Sequence, residues 1–117
     1  MRRALIVLAG LAGAAGVAAA AVAAHVGATR MDTAALMLMV HAPALLGLAA
    51  LASAAPWMAR AGFVLALGVA LFSGDLVARD VWEAGLFPNA APIGGALTIL
   101  GWLAVAASAF GRKARRD

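Results

Sequence analysis

The sequence predicts an all-α integral membrane protein, a four-helix bundle that crosses the bilayer up, down, up and down. Hydrophobic residues make up 66% of its 117 residues and charged residues only 12%, against about 45–50% and about 25% in soluble domains. Long uncharged stretches alternate with short polar ones. A chain this short could not hide so many apolar side chains from water, because small domains have a large surface for their volume. A soluble enzyme, a disulfide scaffold and a disordered tail are therefore excluded.

The charged residues divide the chain into four apolar stretches. A helix rises about 1.5 Å per residue, so about 20 residues cross the roughly 30 Å of hydrocarbon in a bilayer. Strands are not expected, because the stretches are long and show no alternation of polar and apolar residues. Within one domain, residues 1–117, we predict membrane spans at about 4–28, 33–54, 57–78 and 91–111.

The connections between these spans follow from the same pattern. The first helix ends before the polar segment 29–32, and the second contains Pro43, which should kink it beside His41. Pro56 is expected to begin the third helix. The longest and most polar connection, about 79–90, leads to the fourth. Short connections make consecutive helices antiparallel neighbours.

Basic residues predict the orientation. If the N-terminus is cytoplasmic, seven of the nine Lys and Arg residues lie inside and only Arg30 and Arg79 lie outside. Cytoplasmic loops carry an excess of Lys and Arg, so both termini are expected in the cytoplasm. The position of the basic residues at the ends of apolar spans also argues against a nucleic-acid-binding face.

The N-terminal segment permits a second interpretation. Arg2 and Arg3, an apolar stretch and small residues near 20–24 resemble a secretory signal peptide. The apolar stretch of about 25 residues is long for such a signal, and cleavage would leave three spans. We therefore favour a first membrane helix.

Polar residues inside the spans converge on one half of the membrane. Helix depths place them all toward the outer surface, and ionisable residues in lipid are candidates for function. One interpretation is an outward-facing pocket that relays protons or holds a cation; the other is that the shallow groups reach interfacial water. The candidate polar cluster is His25, His41, Ser73, Asp75 and Thr98.

Asp75 and the Met37–His41 pair each permit two interpretations. Asp75 could accept a hydrogen bond from His41, or it could reach outer water three residues from its helix end. Met37 and His41 share a helix face and would suit a soft metal, but Met also fills gaps in apolar packing. No cofactor or metal is expected. An enzyme is not expected either, because no nucleophile has an activating partner.

Small residues mark the expected contacts between helices. Membrane helices associate where small side chains let their backbones approach closely. The predicted packing positions are Gly62, Ala66, Ala70 and Gly74 on the third helix, and Gly94, Gly95 and Gly101 on the fourth.

Several short motifs stand out in the spans: residues 71–74 (LFSG), 92–95 (PIGG), 100–102 (LGW), 24–25 (AH) and 41–42 (HA). Together they resemble the domain of unknown function 423 family, small bacterial inner-membrane proteins. The resemblance implies a multi-pass protein of the bacterial cytoplasmic membrane with no established activity. The chain departs from it at Asp75, where Ser is usual, and in having no Tyr before the second His.

Together these observations favour a structural or accessory membrane protein. Its expected partners are the lipid bilayer and either further copies of itself or a larger membrane complex, with no nucleic acid. The alternative is a small proton- or cation-linked carrier that uses His25, His41 and Asp75.

Overall fold

The computed structural model of the chain describes residues 1–111. Those residues form four helices, each long and apolar enough to span a membrane, as the sequence predicts. The basic segment 112–116, on which much of the predicted orientation depends, lies outside the described residues. The helices are α1 (Arg2–Val26), α2 (Thr29–Leu51), α3 (Pro56–Trp82) and α4 (Ala90–Ser108).

The helix ends differ from the predicted ones by a few residues, for local reasons. Gly27 adopts a left-handed conformation (φ 67°) and donates its N–H to the carbonyl of Ala23, which ends α1. The segment 29–32, expected as a connection, is the first turn of α2. Pro56 begins α3 as expected, but α3 continues past the predicted residue 78 to Trp82.

The helices form an antiparallel row. α1 packs along α2, α2 against α3, and α3 along α4, whereas α1 meets α3 only over a short stretch. Within residues 1–111, α4 makes no close backbone approach to α1 or α2. The arrangement is therefore more open than a bundle in which the first and last helices meet.

The apolar core lies toward the end of the row where α1 and α3 begin. Leu5, Leu45 and Leu65, from three different helices, are almost completely buried there. A Cβ built on Gly62 would lie 2.8 Å from a methyl group of Leu5, so this glycine makes room for Leu5 where α1 meets α3. Because lipid is as apolar as these side chains, their close packing, and not escape from water, stabilises the contact.

Candidate functional site

Asp75 on α3 is completely buried, and its partners differ from both expectations. One carboxylate oxygen accepts a hydrogen bond from Nε of Arg79 at 2.9 Å, and the other accepts one from the backbone N–H of Leu86 at 2.8 Å. It neither pairs with His41 nor reaches outer water. The reason is the extra turn of α3, which places Arg79 one turn beyond Asp75.

The segment between α3 and α4, residues 83–89, folds back over this ion pair. It leaves α3 through Glu83 in a left-handed conformation (φ 57°) and brings Leu86 beside Gly74. A Cβ on Gly85 would lie 2.9 Å from Nη2 of Arg79, so only glycine fits there without a shift. Backbone N–H groups outside a helix need another hydrogen-bond partner in an apolar environment. The carboxylate of Asp75 supplies one by accepting the N–H of Leu86.

A second carboxylate on α3 holds the beginning of α2. Oδ2 of Asp80 accepts a hydrogen bond from the backbone N–H of Met31 at 2.7 Å. Its other oxygen lies 3.4 Å from the exposed guanidinium of Arg30. A negative charge is favourable at a helix N-terminus, where backbone N–H groups lack partners in the helix. This contact fixes the register between α2 and α3.

His41 joins α2 to α4 through a partly buried hydrogen bond. Nε1 of Trp102 lies 3.1 Å from Nε2 of His41, and Nδ1 of His41 lies 2.8 Å from the carbonyl oxygen of Met37. Because an indole N–H can only donate, Nε2 is the acceptor and Nδ1 carries the proton that it donates to Met37. Both nitrogens of a neutral imidazole are thus used. Met37 contributes its backbone carbonyl to this contact.

The other candidate residues bond to backbone or lie at the surface. Ser73 donates to the carbonyl of Ala34 on α2 at 3.5 Å, and Thr98 donates to Gly94 in its own helix at 2.8 Å. His25 is exposed on α1. Over residues 1–111, none of the five candidate polar residues hydrogen-bonds to another of the five, and no buried side-chain polar atom lacks a partner.

A close helix contact joins α3 to α4 through glycines. A Cβ on Gly68 would lie 2.6 Å from the backbone nitrogen of Thr98 and 2.8 Å from the carbonyl oxygen of Gly94. A Cβ on Gly101 would lie 2.7 Å from Cγ of Leu65. Gly94 and Gly101 are seven residues apart, the spacing that keeps both on one helix face.

The predicted packing positions are distributed over several surfaces. Gly62 is buried against α1 and α2, whereas Gly74 and Gly95 are only partly buried, against Leu86 and Phe72 respectively. Ala66 is partly buried and Ala70 is exposed, so the second half of the predicted ladder does not face another helix of the described chain. The sequence analysis missed Gly68, although it is a glycine within an apolar helix.

The tryptophans at the ends of α3 have different surroundings. Trp57 donates its indole N–H to the carbonyl of Ala104 on α4 at 3.1 Å. Trp82 is 71% exposed at the other end. Amphipathic rings at membrane interfaces commonly combine an apolar contact with a polar one.

A family described as "Protein of unknown function (DUF423)" matches residues 6–95. The match covers the two histidines and the segments 71–74 and 92–95, while the motif at 100–102 lies beyond it. No curated protein and no solved structure matches the chain.

Proposed function

Since the chain belongs to the DUF423 family, whose function is unknown, we propose that it is a structural or accessory protein of the bacterial cytoplasmic membrane. In this role it packs with further copies of itself or with a larger membrane complex and carries out no catalysis. The face of α1 that no other helix of the described chain covers supports this proposal most directly.

This uncovered face of α1 carries small, exposed side chains. The apolar stretch of α1 has the smallest share of buried residues among the four helices. Gly10, Ala14 and Ala18 follow one another at intervals of four residues, and all three are exposed. A Cβ on Gly10 would meet nothing within 4 Å. Small residues at this spacing let a second membrane helix approach closely, as in the dimers that Gly-x-x-x-Gly motifs form.

The buried polar groups support a structural role over a proton or cation carrier. A carrier needs groups that exchange partners along a continuous path. Asp75 is held by Arg79 and Leu86, and His41 by Met37 and Trp102, so each group already has a partner that joins parts of the fold. The Asp75 contacts join α3 to the segment 83–89, and the His41 contacts join α2 to α4.

The orientation proposed for this protein has both termini in the cytoplasm. It rests on the seven-to-two distribution of basic residues between the two sides. Reporter fusions after Arg30, Arg60 and Arg79 should report outside, inside and outside, respectively. A periplasmic signal from a C-terminal fusion would contradict it.

Cysteine cross-linking tests the self-association, because the natural chain contains no Cys. Gly10→Cys and Ala14→Cys should give disulfide-linked dimers, or a linked second protein, when membranes are oxidised. Leu103→Cys, on the exposed part of α4, is the matched control and should stay monomeric. Monomers at all three positions, together with purification in mild detergent without any partner, would refute the proposal.

A further inference from the structure

An apolar groove runs between α1 and α3, with α2 as its floor. It has a volume of about 220 Å³, larger than the roughly 150 Å³ of engineered apolar cavities that stay dry and bind benzene. Four alanines line its two walls and two leucines of α2 lie beneath: Ala12, Ala15, Ala66, Ala70, Leu38 and Leu45. The groove exists because α1 and α3 meet only over a short stretch, which includes Leu5 and Gly62.

The groove lies within one membrane leaflet. Its lining extends from Leu8 to Ala15 on α1 and from Ala66 to Ala70 on α3. At about 1.5 Å per residue these stretches are about 10 Å and about 6 Å long, shorter than the roughly 15 Å of half the hydrocarbon thickness. The groove therefore has room for part of one acyl chain of the leaflet on this side.

Three guanidinium groups lie at the same end of the α1–α3 pair. Arg2 and Arg3 precede Leu5 on α1 by two or three residues, Arg60 precedes Gly62 on α3 by two, and all three are exposed. The carboxylates in residues 1–111 lie at the opposite end, where two of them pair with Arg30 and Arg79. In the described chain this end is thus positively charged without a counter-charge.

We propose that the groove between α1 and α3 binds one acyl chain of an anionic phospholipid, whose phosphate head group pairs with Arg2, Arg3 and Arg60. The groove is apolar and too small for a further helix, whereas a lipid chain can enter from the side. Basic groups at the entrance of a groove between membrane helices favour anionic over zwitterionic head groups. The guanidinium groups set the head-group preference, and the alanines leave space for the chain.

Native mass spectrometry of the whole protein tests this site. The protein is reconstituted in nanodiscs with equal amounts of phosphatidylglycerol and phosphatidylcholine and released in mild detergent. Phosphatidylglycerol should be retained preferentially. Each basic residue near an anionic head group contributes about fivefold to binding, and three together about a hundredfold. The triple change of Arg2, Arg3 and Arg60 to Gln should therefore lower the preference by between about fivefold and about a hundredfold.

Two exposed alanines provide a test and a control for the groove. Ala15→Leu fills the groove and should abolish retention of both lipids, whereas Ala96→Leu, exposed on α4 and outside the groove, should leave retention unchanged. Equal retention of the two lipids by the natural protein, or equal effects of the two alanine changes, would overturn the proposal. A dimer that Ala15→Leu abolishes would overturn it too, since a second copy would then occupy the groove. Ala14→Leu separately tests the proposed self-association of α1.

Discussion

Replacing Gly68 with alanine should separate α3 from α4. The new Cβ would lie 2.6 Å from both the backbone nitrogen and Oγ1 of Thr98, whereas ordinary contact begins at 3.4 Å. The two helices must therefore move apart by about 0.8 Å, the difference between these distances, because backbone atoms cannot turn away as a flexible side chain can. A gap of that size forfeits a quarter to a half of each neighbouring dispersion contact.

The expected magnitude follows from overpacking in well-packed interiors, which costs about 1–3 kcal/mol. Gly47→Ala is the matched control, since Gly47 is also inside a helix and a Cβ there meets nothing within 4 Å. Alanine favours a helix over glycine by up to about 1 kcal/mol, and comparison of the two variants removes that contribution.

Unfolding of the purified protein in mixed detergent micelles, followed by circular dichroism, measures the difference. Gly68→Ala should have a free energy of unfolding lower than that of Gly47→Ala by about 1–3 kcal/mol. Gly47→Ala should be as stable as the natural protein or slightly more so. Equal stability of the two variants would refute a close α3–α4 approach at Gly68.

Three further predictions concern the buried polar contacts. Trp102→Phe should lower the free energy of unfolding by about 0.6–2 kcal/mol, because it removes the donor to His41, whereas Trp82→Phe at an exposed site should change it little. Asp75→Asn should lower the melting temperature in detergent more than Asp32→Asn, since only Asp75 is buried with an ion-pair partner; equal melting temperatures would count against the pair. The double variant Asp75→Asn and Trp102→Phe should show additive losses, because the two contacts share no partner, and a strong deviation from additivity would indicate coupling between them.

Some features of the helix contacts were predictable and others were not. Gly94 and Gly101 were expected at a contact, and they are buried against α3. Their partner surface is Leu65 and Gly68, whereas the ladder predicted on α3 includes the exposed Ala70. In a chain with 35 alanines, small residues occur on every helix face. The spacing of small residues therefore identifies a helix-contact face only together with the burial or exposure that the tertiary structure gives.

For the buried polar residues, the position in the chain was predictable and the hydrogen-bond partner was not. The sequence places His41 and Asp75 inside apolar spans, where a polar group needs a partner. It does not identify Trp102, 61 residues from His41, or the N–H of Leu86, 11 residues from Asp75. The Arg79 contact depended on a helix end that lay four residues further than hydropathy indicated, because a snorkelling or paired charge can extend a helix beyond its apolar stretch.

The sequence by itself determined the four membrane helices and their antiparallel succession, because length, hydropathy and short connections are local properties of the chain. The tertiary structure decided that the helices form a row with a groove between α1 and α3, that the segment 83–89 folds back over Asp75, and that Trp102 reaches His41. These features depend on which side chains meet across helices that are distant in sequence. Because the spans are almost uniformly apolar, close packing and single hydrogen bonds determine which side chains contact one another across helices. Hydropathy carries no information about those contacts.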